Sequence, residues 1–133
     1  MTTGQITTTL GKKVALNRMW KSTPDYTAPS QFKIGTGTTT PAVGDTDLVT
    51  PQIISGGDYL KDVDTTYPQI NETTLVATTN MTLLSTDANG LSITELGLFN
   101  SDTSPLLITR AVFTAITKTA SVQVNITEYD LVA

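Results

Sequence analysis

Four long stretches rich in β-branched and apolar residues follow one another from Thr73 to the C-terminus: TTLVATTNMTLL, LSITELGLF, LLITRAVFTAI and ASVQVNITEYDLV. They constrain the fold more than any other feature. Short links separate them, STDANG, NSDTSP and TKT, and the turn DANG contains an Asn-Gly pair, a hairpin signal. The last stretch alternates. Ala120, Val122, Val124 and Ile126 face one way, and Ser121, Gln123, Asn125 and Thr127 the other. That is the pattern of a half-buried antiparallel strand. Short strands with turn signals about every 8–12 residues indicate a β-sandwich or barrel.

Three weaker strand candidates lie upstream, in QFKIGTGT, LVTPQII and YLKDVDTTY. Pro51 cannot donate to a ladder, so LVTPQII reads as an edge strand or a broken one. GTGTTTP lacks the Lys and the following helix of a phosphate loop and reads as a flexible β-loop. The segment TTTLGKKVALNRMWKS predicts one helix over 9–21, capped by Thr8 or Thr9 and ended by Pro24. Residues 1–8, polar and Thr-rich, are expected to form a mobile arm. The expected architecture is a single domain over 1–133. It is an all-β, antiparallel β-sandwich, jelly-roll-like, of about seven strands with one N-terminal helix.

GLSITELGLFNSD, Gly90 to Asp102, is the irregular strand. Ile93, Glu95, Gly97 and Phe99 lie on one face, and Leu96 and Leu98 on the other. Apolar residues on both faces imply a strand covered on both, by the helix or by a neighbouring subunit. Gly97 then marks a bulge or the close approach of another backbone. Leu10, Met19, Trp20, Leu96 and Leu98 are accordingly candidate interface residues. Trp is enriched at binding hot spots, although Met19 and Trp20 have the plainer role of docking the helix onto the sandwich. Glu95 and Arg110 sit centrally in neighbouring strand candidates and are expected to form a structural ion pair across them.

Composition narrows the chemistry. The chain has no His and no Cys, which removes the commonest general base, the commonest metal ligand and the usual nucleophile–base pairs. No catalytic residue, cofactor or metal is expected. The alternative of a Ca²⁺ site at GDTD or DVD lacks a full ligand loop, and these carboxylates read as turn residues. Net charge is −4 and only 15% of residues are charged, which argues against a nucleic-acid partner. No apolar run reaches the ~20 residues of a membrane span, and MTTGQITTTL has no signal-peptide pattern. Thr makes up about a fifth of the chain. A hydroxyl-rich, weakly charged surface is cheap to desolvate against neighbours.

The run LSITELGLFNSDTSPLLITRAVF resembles the signature of tailed-phage tail-collar and tail-fibre N-terminal domains: an I-T-E-hydrophobic-G-L-F strand, a short Asp/Asn turn and a second apolar strand. FKIGTGTTTPAVGDTDL is similar to the family's G-x-G…P…D-x-x-L segment, TTLGKKVALNRMW to its opening helix, and ASVQVNITEYDL to its closing strand. The resemblance covers about residues 7–132. It implies a non-enzymatic virion module, made in the host bacterial cytoplasm, that forms a homo-oligomer and packs on other virion proteins. Tail-fibre proteins normally carry a long distal part after this module, and here the chain stops at Ala133. That favours a tail-fibre, collar or baseplate adaptor or accessory over a receptor binder. A capsid decoration protein is the second expectation. A carbohydrate-binding module is the third, drawing on Trp20, Tyr26, Tyr59, Tyr67 and Tyr129, but aromatics are only 6% of the chain.

Overall fold

In the computed structural model, residues 2–131 are described. Met1 of the expected arm, and Val132 and Ala133 at the far end, lie outside them. The elements are β1 (Thr2–Thr7), α1 (Thr9–Trp20), β2 (Pro29–Gly35), β3 (Pro51–Gln52), β4 (Lys61–Asp62), β5 (Gln69–Asn71), β6 (Val76–Leu83), β7 (Ser92–Asn100), β8 (Leu107–Thr117) and β9 (Val124–Leu131). One antiparallel sheet runs β1-β8-β7-β2-β3, with β4 also on β2. The other runs β5-β6-β9. The fold is all-β and sandwich-like, as the strand pattern requires.

Two of its strands are not visible in the sequence pattern. Thr2–Thr7 is not a mobile arm: it pairs antiparallel with β8, from Thr2↔Phe113 to Thr7↔Thr109. The ladder supplies the order that the polar sequence lacks. β5 likewise pairs with the start of β6. DANG is not a hairpin turn. β6 pairs with β9 and β7 with β8, so DANG carries the chain from one sheet to the other. Pro51 does sit at a sheet edge, in a two-residue strand against the end of β2.

The core lies between the sheets. Phe32 and Ile34 of β2, Met81 and Leu83 of β6, and Ile93 and Leu96 of β7 form its centre. Burial of side chains of this size stabilises by roughly 1.5–3 kcal/mol each. In β6 the burial alternates strictly toward its end, Thr79, Met81 and Leu83 being inward. β7 does not alternate, being buried on both faces from Glu95 onward, and its register with β8 shifts between Ile93 and Glu95. Across that irregularity Ile93 and Leu96, three residues apart, both join the core.

α1 begins at Thr8, whose extended backbone is that of an N-cap and whose hydroxyl accepts from the Gly11 N–H. The same hydroxyl donates to the Leu107 carbonyl of β8. The helix is therefore anchored at its start and buries Gly11 and Val14.

Candidate functional site

The chemistry-bearing cluster with the best-defined geometry lies on the face of β7 that turns away from the second sheet. Ile34 pairs with Leu96 and Gly35 with Glu95, so Leu96 faces the core while Glu95 and Gly97 face outward. The outward face is nevertheless buried, because the 36–50 segment folds over it. Neither α1 nor another subunit is needed to cover it. Leu48 of that segment is buried, and a Cβ on Gly97 would lie 2.8 Å from its side chain and from that of Leu107. Only glycine leaves room there.

The Glu95 carboxylate ties the segment down. It accepts from the backbone N–H of Gly37 at 2.8 Å, Val49 at 3.0 Å and Thr50 at 2.8 Å. Arg110 adds two charge-assisted bonds, from Nε at 3.1 Å and Nη2 at 3.0 Å. The remaining guanidinium nitrogen, Nη1, donates to Asp45 of the covering segment at 3.1 Å. Thr94 donates from its hydroxyl to the Gly37 carbonyl. GTGTTTP is thus a stapled loop and not a flexible one. An added Cβ on Gly37 would come within 2.5 Å of the Glu95 carboxylate and 2.7 Å of Val49. The expected Glu95–Arg110 ion pair is present, with both side chains fully buried. With every lone-pair direction of Glu95 engaged, the cluster is built for holding a loop, not for proton transfer.

The turn carboxylates weighed as calcium ligands have partners within the chain. Asp45 meets Arg110, Asp47 meets Lys33, and Asp64 accepts from Asn80 and Thr82.

The interface residues separate into two groups. Leu96 and Leu98 are buried inside the chain and are not an interface, the second sheet and the α1 side of the sandwich being their surroundings. Leu10 is half-buried. Met19 and Trp20 do not dock the helix. They are 72% and 74% exposed, and Leu16, 63% exposed, joins them on the same helical face. Val14 and Gly11 take the inward side. The apolar residues of α1 are therefore divided between a buried face and a bare one, and Lys12 and Lys13, both exposed, flank the bare one.

The aromatics weighed for a glycan site stand on different elements. Trp20 ends α1, Tyr129 lies exposed on β9, and the Lys13 ammonium sits over the Tyr26 ring. Tyr59 lines a shallow cavity with no second aromatic among its lining residues.

Sequence reasoning missed a second carboxylate cluster. On β9, Glu128 and Asp130 continue the inward face begun by Val124 and Ile126. That placement is readable from the alternation of VNITEYDL. Thr109 donates to Glu128 Oε1 at 2.6 Å, and Gln5 of β1 donates to Asp130 at 2.7 Å. Burial, then the adjacent Asp130 carboxylate, push Glu128 up to about 8. Burial also raises Asp130.

Compared with family models, with curated proteins and with solved structures, the chain matches none.

Proposed function

We propose that this chain is a non-enzymatic structural protein of a bacteriophage virion, an adaptor or accessory module at the level of the tail fibre, collar or baseplate. It works by packing against copies of itself and against other virion proteins. The observation that carries the reading is the bare face of α1. Leu16, Met19 and Trp20 place three large apolar side chains side by side in water, on a helix whose other face is fixed to the sheet. Such a patch on a rigid element is what an assembly contact requires.

The Glu95 cluster supports the same reading. The ITELGLF strand is the most specific piece of the family resemblance and the G-x-G segment is another piece of it, and Glu95 of the first receives the Gly37 N–H of the second. The two motifs therefore describe one device that holds a loop on a sheet, a structural purpose consistent with a packing module.

Light scattering and native mass spectrometry test the proposal. The protein is expected to form a homo-oligomer or to bind purified phage particles. Replacing Leu16, Met19 and Trp20 together by Ser is expected to abolish that association while leaving the circular dichroism spectrum unchanged. A strict monomer that also fails to bind particles would overturn the reading. Binding to heads and not to tails would move the protein to capsid decoration.

A further inference from the structure

Between the two sheets, on the α1 side, the sandwich opens into a cleft of about 410 Å³. That is within the range of small-molecule sites, about 300–1,000 Å³. Its walls are mainly apolar: Ala15 from α1, Ile70 and Ala77 from β5 and β6, and Leu98 and Ile108 from β7 and β8. Ile70 points inward yet is largely exposed, so the cleft is open to solvent at β5.

An unpartnered hydroxyl lies in this cleft, with two carboxyls beside and behind it. Thr79 lines it and is 1% exposed, and its hydroxyl has no hydrogen-bond partner. Directly across the β6–β9 ladder from Thr79 stands Glu128, 4% exposed and behind the cleft wall, its carboxyl hydrogen-bonded to that of Asp130. Asp130 and Thr109, the groups beside Glu128, line the cleft as well. A buried hydroxyl left without a partner is costly, and one that opens onto an apolar cleft beside a carboxyl group points to a ligand with a polar head. A water molecule would satisfy the polar atoms and leave the apolar walls uncovered.

We propose that this cleft binds a protonated primary amine carried on an apolar stem. The head group must donate, because the Asp130 oxygens that line the cleft accept and the Thr79 hydroxyl accepts as readily as it donates. It must also be cationic. Burial favours keeping one proton on the hydrogen-bonded Glu128–Asp130 pair, which leaves the other carboxyl charged at the cleft; among the described residues Gln5 and Thr109 also donate to the pair. An ammonium balances that charge in a weakly solvated place, where a neutral donor would not. Lys12 also lines the cleft and is exposed.

The test titrates the intact protein with n-hexylamine, hexan-1-ol and hexanoate, followed by methyl and amide NMR shifts of Ile70, Ala77 and Thr79. Hexylamine is expected to give saturable shifts at those residues, with hexanol about tenfold weaker, the gap between charge-assisted and neutral hydrogen bonds. Hexanoate should give none. Thr79→Val removes a hydroxyl that bonds to nothing, so the fold should persist while amine affinity falls about tenfold. Asp130→Asn should weaken hexylamine and leave hexanol unchanged. The proposal fails if hexylamine gives no saturable shift or is matched by hexanol or hexanoate. It fails equally if hexylamine binds Thr79→Val as well as the parent.

Discussion

Glu95 and Glu128 are both carboxylates sealed inside the same sandwich, yet their surroundings differ in kind. Glu95 receives three backbone N–H groups and two guanidinium N–H groups, and Arg110 beside it is itself shared with Asp45. Glu128 receives one hydroxyl and otherwise shares a hydrogen bond with a second carboxyl, that of Asp130. Burial is the same for both, so the difference lies in the donors. A buried carboxylate with a complete donor set acts as a fastener, whereas one without it holds on to a proton and remains available to something else.

The most severe way to break this comparison is to remove the fastener. Glu95→Ala should leave two guanidinium N–H groups of Arg110 and three amides unsatisfied and cost about 3–5 kcal/mol in urea denaturation. A loss under about 1 kcal/mol would show that the covering segment is held by other contacts.

The opposite sign is expected at the second carboxylate. The folded state raises Glu128 from 4.5 to about 8, so it binds the proton more tightly than the unfolded chain does. Its contribution to stability is complete below pH 4.5 and is lost as pH rises toward 8. Glu128→Gln keeps an acceptor for Thr109 and supplies a fixed N–H toward Asp130. It should flatten this decline and raise stability at pH 8 by on the order of 3 kcal/mol. Melting temperatures of the two proteins across this range check it, and parallel curves would refute it.

Gly37→Ala sharpens the picture of the first site, since it adds one methyl against the Glu95 carboxylate and should cost about 2 kcal/mol. The same substitution in a Glu95→Ala background should cost less, and equal costs in both backgrounds would mean that Glu95 is not what Gly37 accommodates. Thr8→Ala, which touches neither carboxylate, should cost about 1 kcal/mol through the lost cap, without altering the pH profile. Thermal unfolding at two pH values separates these outcomes.

What the sequence disclosed follows the same division. Glu95 and Arg110 are legible because each sits mid-strand among apolar neighbours, where only mutual pairing makes burial tolerable. The other donors to Glu95 are backbone amides of Gly37, Val49 and Thr50, and backbone amides carry no sequence signal. The covering role of the 36–50 segment was hidden for that reason. Glu128 and Asp130 left a trace, two acids continuing the apolar face of Val124 and Ile126, and the polar half of the pattern obscured it. β1 was hidden because TTGQIT gains its order from β8, a partner far along the chain. Asn89-Gly90 misled because a turn signal reports a reversal of the chain without reporting which sheet the chain enters next.

The pairing of β1 with β8 has a kinetic consequence. The Thr8 hydroxyl bonds to a carbonyl 99 residues later, and Gly37 waits 58 residues for Glu95. During synthesis neither the first strand nor the loop over β7 has a partner until most of the chain has left the ribosome. Closure of such distant contacts is slow. A nascent chain halted before Leu107 would expose the edge of β7 that β8 normally covers, inviting association with other chains before the fold is complete.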